Sequence, residues 1–234
     1  MIPQIRRSVC TTILPAAMIT MIIMTGGALA WLDGCQAARP AETIRASGDY
    51  RFNKGDYAGA SDEYSEIVAR YPGDWEAQYK LGLSQLELKN YSAGRRSLEI
   101  AYTQRPKDAK VAQALAEAMF RQGDESRLFA FLRSRAQETQ LTEAYLMLAK
   151  YSMDLNDPDS AKTAVDTAIA IDDGKTTEPY LQAAALEERL GHLDQAERRL
   201  RQAYGINPYD TRVKEKLVAL NVKIDQVTAL PPGR

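Results

Sequence analysis

Apolar and polar residues alternate along this chain in two different ways. No charged residue occurs from Ser8 to Leu32, and this largely apolar run follows Arg6 and Arg7. Beyond Ala41 the apolar residues instead recur at helical spacing, in stretches that are separated by short polar turns. The pattern predicts a basic and apolar leader, followed by a long series of helices joined by turns.

The turns recur with a fixed period. Three of them contain Pro-x-Asp; the first two prolines are 34 residues apart, and the second and third are 102 apart, or three times 34. The pairs are Pro72 with Asp74, Pro106 with Asp108, and Pro208 with Asp210. Because proline stops a helix and aspartate can cap the next one, each phrase predicts a boundary between two structural units. Gly55, Gly123 and Gly191, each 68 residues apart, predict turns inside the units.

A 34-residue period of helix–turn–helix units resembles the tetratricopeptide repeat family. In that family, small residues stand where the two helices of a repeat cross closely. Counted from Ala41, Trp75, Ala109, Thr142 and Thr177, the eighth positions here are Gly48, Gly82, Ala116, Ala149 and Ala184. The resemblance implies an all-α, right-handed α-solenoid of about five repeats, at residues 41–74, 75–108, 109–141, 142–176 and 177–210.

The third repeat departs from the family pattern. Leu128 and Arg135 occupy the twentieth and twenty-seventh positions, where small residues are expected, and Gln140 stands where proline would be. This repeat is also one residue short. We expect its second helix to form but to pack at an altered angle.

The end of the repeat array carries a further helical pattern. Val213, Leu217, Leu220 and Ile224 recur at helical spacing after Asp210. This pattern predicts a capping helix that covers the last repeat and extends the domain to residue 225. Residues 226–234 contain two prolines and a glycine, and we expect a disordered tail there.

The resemblance also implies a concave groove lined by the first helix of each repeat. The twelfth and fifth positions of the repeats place large, mostly apolar side chains on that face, which is typical of a binding surface. The candidate residues are Arg45, Phe52, Tyr79, Leu86, Gln113, Phe120, Leu146, Met153 and Leu181. We expect them to bind an extended peptide or an amphipathic helix of a partner protein. The other interpretation is that they pack against the neighbouring repeat.

Composition excludes several classes of function. The net charge is −1, and no basic stripe favours nucleic acid. His192 is the only histidine, and Cys10 and Cys35 are the only cysteines, so no metal site of the usual kind is expected. The chain has no Gly-rich phosphate loop and no Gly-x-Ser-x-Gly motif. We therefore expect neither cofactor nor catalysis.

The leader, residues 1–35, reads as a secretory signal. Leu32-Asp33-Gly34-Cys35 resembles a bacterial lipobox, although Asp33 stands where a small residue is preferred, and Cys35 would then be lipidated. Cleavage after Ala30 and an uncleaved membrane anchor are the other two outcomes. Gln36 favours the outer membrane by resemblance. Residues 36–40 form a linker too short to carry the first repeat far from a membrane.

Taken together, the sequence predicts a non-catalytic interaction scaffold on the periplasmic side of a bacterial envelope. By resemblance to repeat lipoproteins of pilus, secretin and outer-membrane barrel assembly, it would be held at the membrane by a lipid or an anchor. A regulator of a cell-wall synthase or hydrolase is the alternative function. A soluble periplasmic or an inner-membrane protein is the alternative localisation.

Overall fold

The computed structural model describes residues 39–224 and 229–233. The predicted leader and Cys35 lie outside the described residues. Within the described part the chain forms eleven α-helices and no strand. The helices are α1 Ala41–Asn53, α2 Tyr57–Arg70, α3 Trp75–Glu87, α4 Tyr91–Gln104, α5 Ala109–Gln122, α6 Glu125–Thr139, α7 Thr142–Asp154, α8 Pro158–Asp172, α9 Glu178–Arg189, α10 Leu193–Ile206 and α11 Thr211–Ala219. In the same residues, no helix has the length and apolar character needed to span a bilayer.

The helices pack as consecutive pairs. Each odd-numbered helix from α1 to α9 packs against the helix that follows it, and each pair packs against the next pair. The first helices also touch one another in series, from α3 to α5, α7 and α9. The buried side chains form three successive clusters along this stack. The fold is therefore a linear array of helix–turn–helix units with two layers of helices.

The two helices of the second repeat show what brings such a pair together. A Cβ atom added to Gly82 on α3 would lie 2.5 Å from Cγ of Leu98 and 3.1 Å from the carbonyl oxygen of Gly94 on α4. A Cβ atom added to Gly94 would lie 3.0 Å from the carbonyl oxygen of Gly82. The backbones approach so closely that neither position has room for a side chain.

The boundaries between repeats confirm the interpretation of Pro-x-Asp. The Asp74 carboxylate accepts a hydrogen bond from the backbone N–H of Ala77 at 3.0 Å, which caps α3. Asp108 caps α5 and Asp210 caps α11 in the same way. In each case the preceding helix has ended two residues before the proline.

The turns inside the repeats share one backbone conformation. One residue in each turn has a positive φ, between 60° and 79°, which favours glycine. These residues are Gly55, Lys89, Gly123, Asn156 and Gly191. In the fourth repeat the positive φ falls on Asn156, while Asp157 caps α8. Asn156 lies 33 residues after Gly123, and not 34, because the third repeat is one residue short.

The third repeat buries an arginine. Arg135 is 1 % exposed, and its Nη1 donates to the carbonyl oxygen of Pro106 while the guanidinium lies 5.8 Å from the ring centroid of Tyr102. Its Nε and Nη2 atoms are buried and have no hydrogen-bond partner among the described residues. A buried cation with two unpaired donors is costly.

The end of the domain differs from the sequence prediction in two ways. The capping helix α11 stops at Ala219, because Asn221 takes a positive φ of 62°. Val213 and Leu217 are fully buried as predicted. Residues 229–233, where we expected disorder, instead lie against α10 and the loop that follows α8.

We predict that Arg135→Met stabilises the protein. Methionine has a similar length and no hydrogen-bond donor, so the substitution removes both unpaired donors, and Pro106, which loses one, is an exposed residue. The free energy of unfolding should rise by about 1–3 kcal/mol, the usual cost of unsatisfied buried donors. Chemical denaturation measures it, with Arg133→Met, on the exposed side of the same helix, as the control. A loss of stability would show that the Pro106 contact outweighs the two unpaired donors.

We predict that the cap at Asp210 makes stability pH-dependent. Hydrogen bonds from Arg212 and Thr177 lower the pKa of Asp210 from 3.8 to about 2. Because the folded-state pKa is depressed, the stabilisation is present above the unfolded-state pKa and is lost as pH falls from about 4 to about 2. Asp210→Ala should cost about 1–2 kcal/mol at pH 7, as other N-cap deletions do.

Thermal unfolding of wild type, Asp210→Ala and Asp210→Asn from pH 7 to pH 2 tests this expectation. Asparagine caps a helix as well as aspartate does but carries no charge. The gap between wild type and Asp210→Ala should narrow below pH 4, while the gap between the two variants stays nearly constant. A wild-type advantage that persists unchanged to pH 2 would contradict the assignment.

Candidate functional site: the concave groove

The first helices of the repeats form the candidate site. Helices α3, α5, α7 and α9 contact each other in series and leave a row of three hollows between them. Because successive helices stand about one repeat apart, residues at equivalent positions of neighbouring repeats face one another across each hollow. We call this row of hollows the groove.

The first hollow, about 320 Å³, lies between α3 and α5. Its apolar side comes from α3, and its charged side comes mainly from α5. The lining residues are Tyr79, Leu83, Leu86, Glu87, Lys110, Gln113, Ala114, Glu117 and Arg121.

The second hollow, about 240 Å³, lies where α5, α7 and α9 meet. It is lined by Ala109, Gln113, Glu143, Leu146, Met147, Lys150, Tyr151, Glu178 and Gln182. Gln113 belongs to both the first and the second hollow, so the two are adjacent.

The third hollow, about 190 Å³, lies between α7 and α9 and is the most apolar of the three. Lys150 and Gln182 are shared with the second hollow. Met153, Val165 and Leu186 contribute apolar surface, and Asp154 forms an ion pair with Arg189 at 3.3 Å at its edge. The three hollows of the groove therefore follow one another from the second repeat to the fifth.

A network of polar side chains holds the middle of the groove. The Glu117 carboxylate accepts hydrogen bonds from the Tyr151 hydroxyl at 2.9 Å and from Arg121 at 2.7 Å. Although burial alone would raise the pKa of Glu117, these hydrogen bonds and the charges of Arg121 and Lys150 hold it below its ordinary value. Burial and the hydrogen bond to Glu117 raise the pKa of Tyr151. Glu117 is therefore ionised and fixed in place.

Five of the nine residues predicted from the sequence line the groove. Tyr79, Leu86, Gln113, Leu146 and Met153 all border one of the hollows. Leu86 and Leu146 are only 3 % and 5 % exposed, so they form part of its floor. Gln113 is exposed and stands between two hollows.

The other four predicted residues have packing or ion-pair partners of their own. Phe52 packs edge-on against Tyr57, with 5.2 Å between the ring centroids, and Phe120 packs against Tyr151 at 5.4 Å. Leu181 is buried in the core cluster of the last repeats. Arg45 forms ion pairs with Asp74 and Glu76. For the three apolar residues among them, the packing interpretation describes the observed contacts.

The sequence-based list missed the ninth position of the repeats. Leu83, Glu117 and Lys150 occupy this position in the second, third and fourth repeats, and all three line the groove. Helical periodicity predicts that this position faces the groove, because it lies one helical turn beyond the fifth position on the same face of the helix. Gln182 was missed for another reason: it stands at the sixth position, next to the buried Leu181.

The groove has no cluster of metal ligands in the part of the chain that the structure describes. Among the described residues, no group of three or more His, Cys, Asp or Glu side chains is arranged to hold a metal ion. His192 lies outside the groove, at the start of α10, where its Nδ1 is 2.8 Å from an Oε atom of the buried Glu187. What the groove presents is an apolar floor with fixed charges and amides above it.

Comparison with known families agrees with this architecture. Two models described as "Tetratricopeptide repeat" match the chain, one over residues 45–109 and 79–127 and the other over residues 142–174. This chain is a tetratricopeptide repeat protein. The predicted fold class, an all-α solenoid of such repeats, is thereby confirmed. Proteins of this family generally mediate protein–protein interactions and are typically non-catalytic scaffolds.

Solved structures of tetratricopeptide repeat proteins share the fold. A thermophilic TPR protein of Thermus thermophilus has a TM-score of 0.54 and 19 % identity over 78 % of this chain and 99 % of its own. MamA (residues 41 to end) of Desulfovibrio magneticus RS-1 has a TM-score of 0.54 and 13 % identity, over 73 % of this chain and 97 % of its own. A repeat protein of Parabacteroides merdae ATCC 43184 has a TM-score of 0.54 and 15 % identity, over 77 % of this chain and 70 % of its own. No curated protein matched by sequence.

Proposed function

We propose that this protein is a non-catalytic adaptor that holds one segment of a partner protein in the groove. The observation that carries the proposal is the row of three adjacent hollows along α3, α5, α7 and α9, in which neighbouring hollows share lining residues. A single peptide or helix that lies along such a row can contact four repeats at once, which scattered pockets would not allow.

The chemistry of the groove describes the segment that would fit. Apolar anchors suit the floor formed by Leu83, Met147 and Leu186, and such anchors occur at fixed spacing in an extended peptide or an amphipathic helix. Glu87 and Glu143 are exposed carboxylates that line the first and the second hollow. We expect a partner segment that pairs basic residues with these two carboxylates and apolar residues with the floor.

We further propose that Cys35 carries a lipid and that the protein works in the bacterial envelope, on the periplasmic side of the outer membrane. The support is the sequence Leu32-Asp33-Gly34-Cys35 after a basic and apolar run, with Gln36 next. Only Gln36 to Pro40 separate Cys35 from α1, a reach of at most about 15–20 Å. The partner would then be a membrane component such as a secretin subunit or a barrel-assembly factor.

We predict that charge on the floor of the groove weakens peptide binding. Leu83→Glu and Met147→Glu each place a carboxylate on a half-buried apolar surface, which a bound apolar anchor would have to desolvate. A peptide selected from a display library against the wild-type protein should bind each variant at least about tenfold more weakly, or 1.4 kcal/mol.

The control for the groove variants is Leu193→Glu, at a leucine that is 55 % exposed and borders none of the three hollows. Its affinity for the selected peptide should match that of wild type, as measured by calorimetry on variants with unchanged circular dichroism. Equal losses in all three variants, or in none, would rule out the groove as the binding site.

We predict that the mature protein from a bacterial membrane fraction begins at Cys35 with attached acyl chains. Cys35→Ser removes the only thiol that the lipobox offers. The variant should carry no acyl chains, and it should be found either in the soluble fraction or as an uncleaved chain. Intact-mass spectrometry of the membrane and soluble fractions gives the first residue of the mature chain and the mass of any attached lipid. Cys10→Ser is the matched control. A mature start at Trp31, or a full-length chain, would reject lipidation and leave the groove proposal untouched.

A further inference from the structure

A short extended segment of this chain lies on the layer of helices opposite the groove. Residues Leu230 to Gly233, which read Leu-Pro-Pro-Gly, lie along α10 and reach the loop that follows α8. We call these residues the LPPG segment and the surface beneath it the outer cleft. Helices α8 and α10 are second helices of their repeats, whereas the groove is formed by first helices, so the outer cleft is separate from the groove.

Two glycines give the segment its room. A Cβ atom on Gly205 of α10 would collide with the carbonyl oxygen of Leu230. A Cβ atom on Gly174, in the loop after α8, would lie 2.8 Å from the ring of Pro232. A glycine within a helix lowers stability by about 0.5–1 kcal/mol relative to alanine. At Gly205 the contact with the segment is the structural reason for that cost.

The polar atoms of the segment are held by specific donors and acceptors. The Gln202 amide donates to the carbonyl oxygens of Pro231 at 3.3 Å and Gly233 at 3.1 Å. Arg199 also donates to the carbonyl oxygen of Gly233, at 3.3 Å, while its other Nη pairs with Asp166 on α8. Gln202 is 4 % exposed, so a buried amide is directed at the backbone of the segment.

The segment in turn donates its two free backbone N–H groups. The N–H of Leu230 donates to the carbonyl oxygen of Arg201 at 3.2 Å, and the N–H of Gly233 donates to the Tyr180 hydroxyl at 3.0 Å. Pro231 and Pro232 have no N–H to satisfy. Every backbone donor between residues 230 and 233 is thus hydrogen-bonded to the repeat domain.

We propose that the outer cleft is a second peptide-binding site, specific for an extended proline-containing segment, and that the chain's own LPPG segment occupies it in cis. Recognition rests on backbone carbonyls read by Gln202 and Arg199 and on a proline ring over Gly174. Two consecutive prolines keep the segment extended before it binds, which lowers the entropy lost on binding.

The outer cleft extends beyond the atoms of the segment. A cavity of about 310 Å³ lies beside Pro232 and Gly233, bordered by Ile169, Ala170 and Asp173. The site can therefore accept a bulkier residue than glycine at this end. A proline-rich segment with a side chain that fills this cavity would compete with the LPPG segment.

The experiment uses three full-length proteins and one labelled peptide with the sequence of residues 227–234. The proteins are the wild type, a tail variant (Leu230→Asp with Pro232→Asp) whose own segment no longer fits, and the tail variant with Gly205→Ala added. Fluorescence polarisation measures peptide affinity, and amide hydrogen exchange follows Leu230 and Gly233 in the wild type.

The tail variant should bind the peptide at least about tenfold more tightly than the wild type, in which the segment in cis competes. Adding Gly205→Ala should abolish binding without unfolding α10, because alanine favours a helix more than glycine does. The wild-type amides of Leu230 and Gly233 should exchange more slowly than those of the free peptide. A peptide with both prolines changed to alanine should bind more weakly.

Four results would overturn the proposal. They are no peptide binding to the tail variant, equal binding after Gly205→Ala, unprotected amides at Leu230 and Gly233, and a concentration-dependent wild-type dimer that the tail variant abolishes. The last result would assign the outer cleft to the segment of a second copy. The groove variants described above should leave peptide binding here unchanged, which separates this test from that of the proposed function.

Discussion

The structure depends on how closely the two helices of each repeat can approach. At the crossing of α3 and α4, Gly82 and Gly94 place backbone against backbone, with no room for a Cβ atom on either side. In the first repeat the close neighbour of Gly48 is a side chain, because a Cβ atom there would lie 2.9 Å from the ring of Tyr64. Small residues at these positions let the pair bury its apolar face at short range. Each unit then presents the same surface to the next, and the units stack.

The groove follows from that stacking. Because each repeat adds its first helix in nearly the same orientation, side chains at equivalent positions of neighbouring repeats line the same hollow. Gln113, Lys150 and Gln182 stand where hollows meet for this reason. The third repeat keeps the stack despite Leu128 and Arg135, both of which are buried. The unpaired buried donors of Arg135 lie in its second helix, α6, in the layer of helices away from the groove.

The sequence was a good guide wherever local chemistry decides the structure. Asp74, Asp108 and Asp210 cap helices because a carboxylate just before a helix accepts its first free N–H groups, whatever surrounds it. The depth of a side chain in the groove is set by its neighbours across repeats, so Leu86 and Phe120, both at position twelve, have different surroundings. Leu86 borders a hollow, whereas Phe120 packs on Tyr151. A period alone cannot distinguish them.

The LPPG segment shows a different limit of sequence reasoning. Two prolines and a glycine are typical of disorder, since such residues form neither helix nor core. Here the segment is held through its backbone, by Gln202, Arg199 and Tyr180, and none of these partners could be identified from the residues of the segment itself. On the repeat domain, the only sign of the contact in the sequence was Gly205, a glycine inside a predicted helix where no turn requires it.

Helix α9 joins the two surfaces. Its Gln182, Leu186 and Arg189 line the groove, while its Tyr180 accepts the hydrogen bond from the LPPG segment. A segment seated in the outer cleft is therefore hydrogen-bonded to the same helix that lines the third hollow of the groove.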